Sequence, residues 1–182
     1  MRVLKASFVR TVGERDRIYV TRTDGTTATW AFPTYGEALP HDLVHLVVES
    51  AFGLADGFWG RVDAGVDPAR VMAEANRRGG AQKYAALGAD QAGLMRAEAL
   101  ANARWLEPAA AGERRRQVEA ACAAAGVAAP VAADATFDDV PLVLAALTAR
   151  WRGLGPKGAL DLVFHRDAPT RAFAGMGRAP RC

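Results

Sequence analysis

Ten residues of this chain concentrate its chemistry: Pro40-His41-Asp42-Leu43-Val44-His45-Leu46-Val47-Val48-Glu49. The sequence has three histidines, and two of them stand four apart here. On a helix, residues four apart stack on one face, and that spacing lets two imidazoles reach one divalent cation. At about 100° per residue, His41, His45, Glu49 and Asp42 fall within one arc of about 100°. Leu43, Val44, Leu46, Val47 and Val48 fill most of the remaining circumference. No lysine or arginine interrupts the polar arc, so the pattern reads as a facing site rather than a solvated stripe.

The spacing resembles the helix motif of zinc peptidases, in which two histidines four apart hold the metal and the residue after the first is the general base. Asp42 occupies that base position in place of the usual glutamate, one methylene shorter. The resemblance covers five residues and assigns no family. The adjacent His41-Asp42 pair also resembles the signature of HD-type phosphohydrolases, but those need a further histidine upstream, and none precedes His41.

Two histidines call for a third ligand. Glu49 lies eight residues beyond His41, about 12 Å along a helix, which suits it better to orient His45 than to join the same ion. His165, at the end of a C-terminal strand, is the expected third ligand, because a sheet packed on this helix could bring it close. Two histidines, one further ligand and an open position for water make up a catalytic zinc site. The expected set is therefore His41, His45 and His165 as ligands of a divalent metal, zinc for choice, with Asp42 or Glu49 as base or orienting group. The matching activity is that of a metal-dependent, hydrolase-like enzyme acting on a small-molecule or peptide substrate. The alternative is a non-catalytic accessory protein that uses the same polar face to bind a small ligand or another protein.

The elements that must position these groups can be read from hydrophobic periodicity. Leu4, Ala6 and Phe8 alternate with polar residues, as do Ile18 and Val20, and then Ala28, Trp30 and Phe32 before Pro33. Gly13 to Asp16 reads as one turn, and Thr23-Asp24-Gly25-Thr26 as a type I′ hairpin turn. Pro40 opens the histidine helix in its first turn. Phe52 to Val62, interrupted by Gly53, Gly57 and Gly60, reads as a loop or broken helix. Further helices are expected from Asp67-Pro68 to Arg78, over residues 90–106, over Glu113 to Ala125, and from Phe137 to Arg152 with Thr136 as cap. Leu160, Leu162 and Phe164 then alternate in a strand expected to join the N-terminal sheet. The fold class is α+β: a small antiparallel sheet of three N-terminal strands and one C-terminal strand, packed against four or five helices.

Composition bounds the rest. A chain of 182 residues, half of them apolar and a quarter charged, suits one globular domain. The net charge of +3 resides in residues 166–182, where Arg166, Arg171, Arg178 and Arg181 face one acid, Asp167; residues 1–165 are neutral. We therefore expect a single domain over 1–165 and a basic, flexible tail over 166–182. A neutral body lacks the basic stripe of a nucleic-acid binder, so nucleic acid is not the expected partner. No apolar run of eighteen residues occurs, so no membrane span is expected. Residues 1–5 alternate in charge and do not read as a signal peptide. Cys122 and Cys182 form neither a disulfide framework nor a metal spacing. A cytoplasmic protein is expected, and the abundance of alanine, arginine and glycine suggests a bacterial source.

Overall fold

The computed structural model describes residues 3–11, 15–32, 37–68 and 91–165. Four strands form one antiparallel sheet in the order β3-β2-β1-β4, with β1 at Leu4–Val9, β2 at Asp16–Thr21, β3 at Thr27–Phe32 and β4 at Ala159–Phe164. The alternation places Leu4, Ala6, Phe8, Ile18, Val20, Trp30, Phe32, Leu160, Leu162 and Phe164 on the covered face. Cross-strand partners there are apolar on both sides: Ala6 opposes Val20 and Leu162, and Ile18 opposes Trp30. A slip of one residue in any pairing would turn this set outward. The fold is thus the expected α+β arrangement, with the C-terminal strand beside β1.

Five helices are present among the described residues: α1 at His41–Ala51, α2 at Phe58–Asp63, α3 at Ala92–Ala101, α4 at Ala111–Ala124 and α5 at Asp134–Arg152. Helix α1 is the centre of the packing. Leu43, Leu46, Val47 and Val48 are fully buried, and α1 touches β4, α2, α3 and α5. Among the described residues, no helix is long and apolar enough to cross a membrane. The helix expected after Asp67-Pro68 and the basic tail lie outside the described residues.

Three local details differ from the sequence reading. The β2–β3 hairpin is not a type I′ turn, because positive φ is found at Gly25 (92°) and not at Asp24. Gly25 N–H donates to the Arg22 carbonyl, and Arg22 N–H donates to the Thr26 carbonyl. This is a three-residue loop that uses a single left-handed residue at glycine. Pro40 is the N-cap of α1 rather than a residue of its first turn; its extended backbone and its carbonyl, which accepts from Val44 N–H, start the helix. Helix α5 begins at Asp134, so Thr136 lies inside it. Pro141 sits within α5 and cannot donate to the Phe137 carbonyl; Arg114 Nη1 reaches that carbonyl instead, at 3.4 Å.

The stretch after α1 is a turn through Gly53 followed by the short helix α2. Gly57 is required where the chain passes α1: a Cβ there would lie 2.5 Å from Glu49 Oε2 and 2.7 Å from Glu49 Cδ. Trp59, two residues on, is fully buried against Phe8 and Trp30. The turn therefore folds back tightly on the polar arc of α1.

Candidate metal centre

The polar arc of α1 faces protein along most of its length. It is covered at its C-terminal end by the turn into α2 and further toward its start by α3. Glu49 is the deepest member, with no exposed surface. Its Oε1 accepts from Phe58 N–H at 3.1 Å and its Oε2 from Trp59 N–H at 2.9 Å. These are the first two N–H groups of α2, which no residue of that helix can satisfy. The carboxylate of one helix thus caps the next.

Glu49 Oε1 also accepts from His45 Nδ1 at 3.0 Å, and the other ring nitrogen, Nε2, lies 3.1 Å from Glu98 Oε2 on α3. Burial disfavours the charged ring of His45, but the hydrogen bonds and the charges of the two glutamates outweigh it, raising its pKa to about 9. The inventory of donors agrees: ionised carboxylates only accept, so both bonds are filled when His45 is an imidazolium with two N–H groups. Burial raises the Glu49 carboxyl, opposed by the His45 bond and charge and then by the two backbone donors.

His41, one turn earlier, is half-buried, and its ring stands edge-on to that of His45 with centroids 4.7 Å apart. Burial, and next the positive charge of His45, lower its pKa. A ring kept neutral has a free lone pair for a metal. One ligand atom from each of His41, His45 and Glu98 lies within 4.8 Å of the others, and this is the group of metal-ligating type found among the described residues. A tetrahedral zinc with bonds of about 2.0–2.1 Å needs ligand atoms about 3.3 Å apart. The cluster would contract modestly around an ion. The donor set fits: two imidazoles and one carboxylate suit zinc. The bond from His45 Nδ1 to Glu49 would fix the ring so that Nε2 faces the metal, the carboxylate–histidine support common to such sites.

The sequence-predicted residues divide accordingly. His41 and His45 come together, and Glu49 sits beside His45 as its hydrogen-bond partner. Asp42 is turned elsewhere: its Oδ2 accepts from Trp30 Nε1 at 3.0 Å, and its backbone carbonyl accepts from Trp59 Nε1 at 2.8 Å. It ties α1 to β3 and α2. His165, expected as third ligand, is not in the cluster. Its backbone N–H reaches Ser50 Oγ at 3.4 Å, and Ser50 is nine residues past His41, about 13 Å along the helix. The strand does pack on α1, but at the wrong end.

Glu98 is the third member of the cluster, and the sequence reading did not single it out. Its signal lies in the α3 pattern. Leu94, Ala97 and Ala101 are buried, and Glu98 stands at i+4 from the first, i+1 from the second and i−3 from the third. A carboxylate on the edge of an apolar helix face should have a partner across the interface. Asn102, four residues further, donates from Nδ2 to Glu98 Oε1 at 3.1 Å and to the Glu98 carbonyl at 3.0 Å. No family model, no curated protein and no solved structure matches this chain, so its functional reading rests on this geometry.

Proposed function

We propose that the chain is a metal-dependent, hydrolase-like enzyme whose divalent cation, zinc by its donor set, is held by His41, His45 and Glu98. The observation that supports this reading is the convergence of two imidazoles and a carboxylate from two helices, with a buried glutamate behind one ring. A zinc ion with three protein ligands keeps a position for water and lowers its pKa toward neutrality, which is the chemistry of metal-assisted hydrolysis of a small-molecule or peptide substrate. Within this reading, His41 supplies a neutral nitrogen donor, His45 gives up its Nε2 proton as the metal takes its place, Glu98 neutralises charge at the rim, and Glu49 orients His45. Asp42 and Glu49 act as braces. Asp42 is engaged by Trp30, and Glu49, sealed from solvent, already accepts three N–H donors.

A second reading has one observation in its favour. Both ring nitrogens of His45 already meet carboxylates, so the cluster satisfies itself as an imidazolium pinned between two helices. In that case the protein is a non-catalytic binding module.

Metal titration separates the two. Chelator-treated protein should take up one equivalent of zinc or cobalt(II) per chain, with a rise in melting temperature, and should turn over activated esters only when loaded. Loss of the equivalent in both His41→Ala and Glu98→Ala is the expected result. Uptake that is absent, or unchanged in both variants, would leave the pinned-imidazolium reading.

A further inference from the structure

A groove opens beside the candidate ligands. Its apolar walls are Leu39 ahead of α1, Val44 on α1, Ala101 at the end of α3, Trp105 and Leu106 in the turn that follows, and Leu144 on α5. Its volume of about 490 Å³ falls in the range of small-molecule sites. Val44 stands three residues after His41, and Ala101 three after Glu98. Side chains three apart on a helix have Cβ atoms about 5–6 Å apart, so the groove adjoins the cluster through both helices that carry it. Leu106 leaves 57% of its surface in water here, apolar area that a bound chain would cover.

The lining selects the occupant. Where the walls are helices, their backbone N–H and C=O groups bond within the helix. They offer no ladder to the amides of a peptide, which would lose water without gaining partners. The hydroxyl in the lining, Thr148 Oγ, already donates to the Leu144 carbonyl. The charges at the rim are balanced: Arg104 lies 3.6 Å from Glu107, and Arg152 3.6 Å from Glu37. An uncharged aliphatic chain meets both conditions. We propose that this groove holds the acyl chain of a medium-length carboxylic ester whose carbonyl lies at the metal, so that the protein is an acyl-ester hydrolase. The proposal rests on the metal-centre reading above and narrows its substrate class. Hydrolysis consumes one water: its oxygen bonds to the acyl carbon, the ester C–O bond breaks, and the alcohol leaves with that bond's electron pair and one of the water's protons.

Full-length, zinc-treated protein is assayed with the p-nitrophenyl esters of acetate and octanoate, and the zinc content of each sample is measured. Octanoate carries six more methylenes, each worth a factor of about four when fully buried. With one side of the groove open, kcat/KM should favour octanoate by at least about 100-fold. Ala103→Leu, which adds bulk to the lining, and Leu106→Ser, at an exposed site, should each cut that preference at least about 5-fold in protein that still holds zinc. Zinc-loaded wild type that cleaves neither ester, or favours octanoate less than about 10-fold, would overturn the groove's role while leaving the metal centre standing. An undiminished preference in both variants would overturn it as well. A higher kcat/KM for the p-nitrophenyl ester of N-acetyl-leucine would assign the groove to a peptide side chain and overturn the acyl occupant. Wild-type protein that takes up no zinc would overturn the centre and this proposal with it.

Discussion

Replacing Glu49 by glutamine tests the central physical argument, because it keeps the shape of the side chain and removes its charge. The carboxylate accepts from His45 Nδ1 and Phe58 N–H on one oxygen and from Trp59 N–H on the other. In either amide orientation, the new NH2 group confronts at least one of these donors. A buried N–H left without an acceptor costs about 1–3 kcal/mol, and breaking a buried ion pair by removing one partner costs about 3–5 kcal/mol. The two figures overlap, so about 3–4 kcal/mol is expected. For a chain of this size, that lowers the melting temperature by roughly 6–15 °C. The pH dependence supplies a second readout. His45 is raised from 6.5 to about 9 in the folded protein, so its stabilisation is fully present below pH 6.5 and is lost as pH rises to about 9. A shift of that size in a buried group corresponds to roughly 3 kcal/mol. The upward shift of Glu49 acts in the same sense, whereas the lowered pKa of His41 makes it oppose folding only as pH falls below 6.5. Urea and thermal unfolding in chelator at pH 6.5, 7.5 and 9 should therefore show wild-type stability declining with pH and Glu49→Gln both lower and flatter. A variant within about 2 °C of wild type, with the same slope, would refute the account of the buried pair.

Two further outcomes follow from the same geometry. Gly57→Ala should destabilise the protein by about 2–3 kcal/mol, an overpacking cost, because its Cβ would lie 2.5 Å from Oε2 of the Glu49 carboxylate, which three donors hold in place and which is unable to step aside; chemical denaturation measures it. His165→Ala should leave zinc affinity unchanged in calorimetric titration, since that residue meets α1 through its backbone N–H to Ser50.

Much of the fold is legible in the sequence because sheets and amphipathic helices carry a local period. The alternation of Leu4, Ala6 and Phe8, and of Leu160, Leu162 and Phe164, identifies strands and their inner faces without any knowledge of partners. The 3.6-residue period likewise put His41, His45 and Glu49 on one arc of α1. Element edges were less exact. Helix α5 starts at Asp134 and not at Phe137, because an extended Ala133 suffices as N-cap and the acid adds its charge to the first turn. The Asp-Gly pair marks where the hairpin turns but not its type, since it accommodates either one or two residues at positive φ.

The set of groups on α1 and their angular relation follow from residue order alone, because the geometry of one helix imposes them. What those groups meet depends on how distant segments pack. Glu98 lies 53 residues from His45, on a helix whose rotation against α1 depends on how Leu94, Ala97 and Ala101 pack. His165 is nearer to the sheet than to the cluster because the β1–β4 register, Leu4 against Phe164, delivers it to the far end of α1. Glu49 is a buried cap because the chain returns through Gly57 to bring two unpaired N–H groups onto it. A local period fixes which face a side chain occupies; the partner across that face is set by packing over the whole chain.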